Sequence, residues 1–286
     1  MLKIISKIVY KILFYLNKIL NFLFKKDFLS WFSVFLTEDS YKSKLIHKNL
    51  IKFYCPNPLV VSRVKNLFYD EPETLEWIDS FDKTKKIVFW DIGANIGLYS
   101  IYATLKFKNI NVVSFEPSFN NLPILSRNIF INNLQNKITI CQIPLSEKIN
   151  KFLKMSEESF LEGSAMNSFG TDKNFEGKKL NFKNQYKIFG TNINYLLDNK
   201  ILEIPNYIKI DVDGIEDKIL KGGNVYLKNK ALKEILVEVN ENYSKQLFNV
   251  NKILVDSGFK MIWKKQVESI VINTKFEKTF NYLYTK

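Results

Sequence analysis

From Lys86 onward, apolar and polar positions fall into blocks that read alternately as strand and helix. IVFW (87–90) is an unbroken apolar run stopped by Asp91 and Gly93, the pattern of a strand buried on both faces. A helix is predicted over 98–107, a second buried strand over 111–115, a helix over 122–133 and a strand over 137–143. Strand, helix, strand, helix, strand implies a parallel sheet with right-handed crossovers. Residues 148–187 interrupt the rhythm. They are polar, rich in Lys and Asn, carry Gly163, Gly170 and Gly177, and are expected to form an insertion or lid. The pattern returns with a helix near 193–199, the strand YIKI (207–210), a helix over 215–223 and the strand EILVEV (234–239). A helix over 241–256 and two closing strands, FKMIW (259–263) and ESIVI (268–272), complete the prediction.

Upstream the periodicity is weaker. EPETLEWIDSF (71–81) predicts a helix opened by Pro72 in its first turn. Residues 27–84 are expected to cap a main domain over 85–286. The first 26 residues differ from both. On a helical wheel Lys3, Lys7, Lys11, Lys18 and Lys25 form one stripe, flanked by Ser6, Asn17 and Asn21, and Ile, Leu and Phe cover most of the remainder. That is a basic amphipathic helix with a wide apolar face. Its lysines recur too often for a membrane span, and no uninterrupted apolar core or small-residue cleavage site marks a secretory signal. It is expected to lie in an anionic membrane surface or to pack on its own domain.

Composition changes this picture in three places. With 286 residues and 46% hydrophobic content, the chain has material for one sizeable domain with appendages. Without the six lysines of residues 1–26 the net charge of +13 falls to +7, so about half of the excess sits in that segment. The rest is diffuse lysine, as an AT-rich genome also produces; Arg63 and Arg127 are the only arginines, whereas bidentate readers of bases and phosphates favour arginine. His47 is the only histidine and is expected to be an ordinary surface or core residue, which argues against chemistry based on a histidine dyad or triad. Cys55 and Cys141, the only cysteines, give neither a disulfide framework nor metal-ligand spacing, and fit a reducing cytoplasm.

The candidate chemistry gathers at predicted strand ends. IVFWDIGANIGLYS (87–100) delivers Asp91 to the carboxyl edge of the sheet, followed by a glycine turn and a helix start with free N–H groups. Gly93 and Gly97 let the backbone turn sharply and approach a ligand. Glu116 ends the next strand, just before Pro117, where an acid accepts hydrogen bonds from both hydroxyls of a ribose. Asp91 suits a ligand with an ammonium or sulfonium group and opposes a pyrophosphate. In YIKIDVDGIEDKILKGG (207–223), Asp211 ends a strand at the same edge, with Asp213, Glu216 and Asp217 after it. Glu238 is a further candidate for the same cleft. A carboxylate here can act as general base on a hydroxyl, or hold a divalent cation. Asp211 or Asp213 also suits plain N-capping of a helix, with Glu216 and Asp217 favoured in its first turn.

At DIGANIGLYS (91–100), SFEPSFNNLPILSRNIFINNL (114–134), IKIDVDGIEDKILKGG (208–223) and ILVEVN (235–240) the chain resembles the FkbM family of methyltransferases. EPETLEWI (71–78) also resembles the lead-in of many bacterial members, and the likeness spans roughly 71–275. It implies an α/β, Rossmann-like, seven-stranded class I fold with a mostly parallel sheet and a C-terminal antiparallel hairpin, here with an N-terminal helical extension. It implies S-adenosyl-L-methionine as cofactor and transfer to oxygen, often of a sugar or natural product. By resemblance Asp91, Gly93, Asn95 and Gly97 line the amino-acid end of the cofactor, Glu116 takes the ribose, and Asp211 lies nearest the methyl group; from their places in the sequence Pro117 joins the candidate cofactor residues, and Asp213 and Glu238 join Asp211 as catalytic candidates. Two departures stand out: members often carry Glu in place of Asp213, and His in place of Asn240.

The combined expectation is O-methylation of a small-molecule or glycan hydroxyl by a cytoplasmic enzyme, peripheral on the inner face of the membrane. Nucleic acid is not an expected partner, because Asp211-Val212-Asp213-Gly214 stands where base N-methylating enzymes carry Asn or Asp, then Pro-Pro and an aromatic. A nicotinamide oxidoreductase would need G-x-G-x-x-G, which G-A-N-I-G lacks. A non-catalytic module would not need Asp91, Glu116 and Asp211 together.

Overall fold

The computed structural model describes residues 1–179, 182 and 184–286; residues 180, 181 and 183 of the expected insertion lie outside the described residues. The chain opens with α1 (Leu2–Phe24) and α2 (Phe28–Asp39), then a hairpin of β1 (Tyr41–Ile46) and β2 (Asn49–Tyr54). Two short helices follow, α3 (Pro58–Asn66) and α4 (Pro72–Asp79). Each has proline in its first turn, where no intrahelical N–H bond is lost. The Asn57 side chain caps α3 by accepting from the backbone N–H of Leu59 and Val60 at 2.9 and 3.0 Å.

The sheet begins with β3 (Ile87–Ile92), α5 (Leu98–Lys106), β4 (Ile110–Phe115), α6 (Leu122–Ile131) and β5 (Ile138–Cys141). Three strands, β6 (Lys151–Glu157), β7 (Ser168–Phe169) and β8 (Asn184–Gly190), form a separate antiparallel sheet within the segment read as an insertion. The chain then continues through α7 (Ile193–Asp198), β9 (Tyr207–Ile210), α8 (Glu216–Lys221), β10 (Glu234–Asn240) and α9 (Ser244–Asp256). It ends with β11 (Lys260–Lys265), α10 (Glu268–Val271) and β12 (Thr279–Thr285).

The main sheet has seven strands in the order β11-β12-β10-β9-β3-β4-β5. Only β12 is antiparallel to its neighbours, β10 and β11. This is the class I methyltransferase topology with its C-terminal antiparallel hairpin. Every residue of β3 and of β9 is buried, the charged Asp91 and Lys209 together with the apolar residues around them. One closing strand is not where the sequence pattern puts it. ESIVI (268–272) starts a helical turn instead, and TFNYLYT (279–285) is the last strand. The reason is position: β12 runs between β10 and β11, so it needs side chains that pack on both faces. Tyr282, Leu283 and Tyr284 are buried there, whereas Ile272 is half exposed.

Both faces of the sheet are covered. One is packed by α5 and α6 together with Val60, Val64, Trp77, Ile78 and Phe81 from the N-terminal region. The other is packed by α7, α8 and α9 through residues such as Leu196, Ile219 and Leu254. Phe81 stacks on Tyr207 at 3.8 Å between ring centroids, and Trp77 Nε1 donates to Glu234 at 2.8 Å. Burying each such ring contributes about 1.5–3 kcal/mol. Residues from about 40 onward are therefore part of the body. In contrast, neither α1 nor α2 buries a residue. The two helices are held to each other by Asn17, whose side-chain oxygen accepts from the N–H of Phe28 and Leu29 at 2.8 and 3.1 Å.

Candidate active site

Strand order reverses between β3 and β9, and a cavity opens there at the carboxyl edge of the sheet. Gly93, Asn95, Glu116, Pro117, Asp211 and Asp213 line it. Asp91, Gly97 and Glu238 are not part of that wall. Gly93 has φ +91°, and a Cβ on it would overlap the carbonyl oxygen of Asp211. Glycine is what lets the turn after β3 press against the end of β9, joining the two motifs. Gly97 has φ +88°, and a Cβ there would lie 2.6 Å from Leu125 Cδ1, so this glycine seats α6 against the start of α5. Asp91 is fully buried beneath the turn. Its Oδ2 accepts from Ser100 Oγ at 2.6 Å, and Ser100 in turn meets Ser114 at 2.7 Å. Burial raises the Asp91 pKa against the pull of Lys209 and the Ser100 hydrogen bond.

Glu116 sits at the end of β4 with both oxygens directed by main-chain donors. Oε2 accepts from Asn95 N at 2.7 Å and Oε1 from Ser118 N at 2.9 Å. Burial pushes its pKa up to about 8. Each oxygen keeps a lone pair for a further donor. Asn95, at φ +50°, donates from Nδ2 to the carbonyl of Ser164 at 3.1 Å, while its Oδ1 is buried without a partner. Asn167, also in the cavity wall, has the same orphaned Oδ1. Buried acceptors without donors are costly and mark where a ligand's N–H or O–H groups fit.

The loop between β6 and β7 closes this end. Asn121 binds it twice, accepting from Gly163 N at 2.9 Å and donating to Ser164 O at 3.1 Å. Arg63 Nε donates to Gly163 O at 2.6 Å, and Asp213 accepts from Met166 N at 2.6 Å. Asp213, at φ +61°, has its pKa raised to about 6 by burial and by the charge of Asp211.

The other end is a cluster of charge. Asp211 Oδ2 accepts from Lys209 Nζ at 2.7 Å; the Lys209 side chain is 1% exposed and that of Asp211 25%. In the sheet register Lys209 lies beside Asp91, and its ammonium sits 4.8 Å from the centroid of the Tyr99 ring. Burial opposes the Asp211 charge, but the Lys209 ammonium and its hydrogen bond outweigh it and hold the pKa below the ordinary value. Glu71, Asp211 and Glu238 each bring one oxygen within 4.8 Å of the others. Burial, then the charge of Asp211, pushes Glu238 well above the carboxylate range, and Glu71 moves upward mainly by burial. The cluster thus moves the pKa of Asp211 down and that of its neighbour Glu238 up, the separation that distinguishes a base from an acid.

Sequence reasoning missed Glu71 and Lys209. Glu71 precedes the proline of α4 and looks like an ordinary helix start; Lys209 looks like an interruption in an apolar strand, and a lysine inside a buried run was the available signal. Two of the acids after Asp211 serve structure. Glu216 is buried, accepts from the N–H of Val212 and Gly214 at 3.2 and 3.1 Å, and is bonded by the Gln246 side chain. Asp217 accepts from Asn249 at 2.7 Å.

A family model for the methyltransferase FkbM domain matches residues 91–261. Methyltransferase sdnD of Sordaria araneosa is 26% identical over 199 residues, covering 63% of this chain and 75% of that protein. A structure from Streptococcus mutans assigned as an S-adenosylmethionine-dependent methyltransferase aligns with TM-score 0.50 and 8% identity, over 86% of this chain and 56% of that one. Precorrin-6y C5,15-methyltransferase from Geobacter metallireducens aligns with TM-score 0.42 and 15% identity, over 76% and 86%. The structural likenesses bear on the fold alone.

Proposed function

The chain belongs to the FkbM family of S-adenosylmethionine-dependent methyltransferases, and on that premise we propose that it methylates a hydroxyl oxygen of an uncharged sugar, glycan or similar polyhydroxylated natural product. S-adenosylmethionine, when bound, supplies a methyl group already activated by its positive sulfur. Glu116 accepts the ribose hydroxyls with the lone pairs that Asn95 and Ser118 leave free. Pro117, Ile143 and Pro144 give the apolar wall that adenine needs. The orphaned oxygens of Asn95 and Asn167 accept from the ammonium of the methionine part. Asp91 acts from behind, fixing the turn through Ser100, and Gly93 brings that turn to Asp211.

The observation that carries the reading is the Asp211 carboxyl, 2.7 Å from the buried Lys209 ammonium and part of the cavity wall. Asp211 receives the acceptor's hydroxyl proton as the oxygen–methyl bond forms and the sulfur–methyl bond breaks. Glu238, whose pKa is pushed upward by burial and by the charge of Asp211, lies beside Asp211 and favours the charge remaining on Asp211. Alignment of donor and acceptor by these fixed groups supplies much of the rate. Asp70, Glu71, Asp211 and Asp213 outnumber Arg63 along the wall, a field that repels nucleic acid and other polyanions. The free thiols of Cys55 and Cys141 support a reducing compartment, the cytoplasm.

Asp211→Asn tests the reading. With labelled donor and a panel of neutral sugars and glycan extracts, kcat should fall about 10²–10⁴-fold. Donor affinity should stay within about twofold, since no cofactor hydrogen bond is removed. The product should be a methyl ether, stable to base. An equal loss of binding and turnover, or a base-labile or amine-linked product, would overturn it.

A further inference from the structure

We propose that α1 and α2 form one hairpin that seats the enzyme on an anionic lipid surface. The inference stands apart from the identity of the acceptor. No residue of either helix is buried against the rest of the protein, yet the pair is a defined unit. Asn17 caps the start of α2, and Lys25, in the left-handed conformation with its N–H bonded to Asn21 O, ends α1 and turns the chain back. Leu13, Phe14 and Leu20 are only partly covered by this packing.

What remains exposed is apolar over a wide area. Ile4, Ile8, Ile12, Ile19 and Phe22 on α1 face solvent, and α2 adds Trp31 at 65% exposure and Phe35 at 57%. A soluble monomer rarely leaves more than a few hundred Å² of contiguous apolar surface uncovered. At about 100° per residue, Lys3, Lys7, Lys11, Lys18 and Lys25 fall within an arc of about 80° that borders the apolar arc. No acid occurs in residues 1–26. The chemistry that complements such a surface is acyl chain beside phosphate. The apolar arc spans about half the circumference, whereas a helix that pairs with a second copy needs only a narrow seam. Tyr10, Tyr15 and Trp31 supply rings suited to the headgroup boundary. No helix among the described residues is long and apolar enough to cross a membrane, so the hairpin lies in the interface plane, its lysine stems bent toward the headgroups.

The test uses the full chain with phosphatidylcholine vesicles, with and without a quarter of phosphatidylglycerol. Sedimentation should show binding only to the anionic vesicles, weakening as salt rises. Lys3→Gln, Lys7→Gln and Lys11→Gln together should cut the partition coefficient on the order of a hundredfold, from the loss of three surface cations. Brominated acyl chains should quench the wild type and not Trp31→Phe. Cofactor affinity should be unchanged in every variant, which shows that the fold is intact. Three results would overturn the proposal: no binding to either vesicle, equal binding to both with no response to the lysine changes, or self-association broken by Ile8→Ser and Ile12→Ser without vesicle binding.

Discussion

The two ends of the cavity are built on different principles. The end proposed for the cofactor is mostly backbone: one contiguous turn after β3, a strand-end Glu116 held by two main-chain N–H groups, and amide side chains. The end proposed for the acceptor is mostly charge, gathered from separate places: Glu71 ahead of α4 and Asp211 after β9 in the wall, with Lys209 of β9 and Glu238 of β10 behind it beside Asp211. A ligand that never changes can be met by fixed backbone. A proton that must move needs groups whose ionisation is set by their neighbours. Each end is therefore vulnerable in its own way: the first to loss of shape, the second to loss of one counter-charge.

Lys209→Met should be the most damaging change. It strips the ammonium from a buried site that holds Asp211, with Asp91 and Glu71 nearby. Removing one partner of a buried ion pair typically costs about 3–5 kcal/mol, so the urea midpoint should fall sharply. Adding Asp211→Asn should restore part of the loss. Lys209 holds the Asp211 pKa down, so in any variant that folds, such as Lys209→Arg with altered geometry, the acidic limb of the rate profile should move to higher pH. An unmoved limb would break the link between Lys209 and the base.

Glu71→Gln sharpens the contrast with a milder change. It keeps the shape and removes one carboxylate from the acceptor end. If Glu71 binds an acceptor hydroxyl, KM for the acceptor should rise roughly 10–100-fold, the range for a hydrogen bond to a charged group. Donor affinity, read by calorimetry, should not move. A matching loss of donor affinity would mean that the two ends are not separate.

This division also explains what the sequence disclosed. Gly93, Asn95 and Glu116 were readable because a strand, a turn and a helix follow one another within one stretch, and the turn demands glycine. Asp211 was readable because it ends an apolar run. Glu71 and Lys209 were not, since their partners come together only when β9 pairs with β3 and α4 packs on the sheet face. The roles of the two glycines also needed the fold: Gly93 abuts the Asp211 carbonyl, and Gly97 meets Leu125. The misplaced last strand has the same origin. ESIVI and TFNYLYT both favour extended backbone, and only the insertion of β12 between two strands selects the one that can be covered on both sides.

The smallest expected effect is a pH dependence confined to the cofactor end. The Glu116 carboxyl titrates near 8 in the folded protein against an ordinary value of 4.5. The folded state therefore binds the extra proton, and ligand-free stability should decline as pH rises through that window. Ribose hydroxyls donate to the ionised form, so donor binding should release a proton and tighten by about tenfold between roughly pH 6.5 and 8.5. The thermal stabilisation by S-adenosylhomocysteine should grow over the same range. Glu216 is also pushed to about 8, mainly by burial, but it faces Val212, Gly214 and Gln246 rather than the cavity. Glu116→Gln should therefore flatten the ligand-dependent slope and leave the ligand-free decline from Glu216 in place. Any slope that comes from the ligand's own ammonium survives in that variant and can be subtracted. If the whole slope survives, Glu116 is not the group that meets the ribose, and the backbone alone carries the cofactor end.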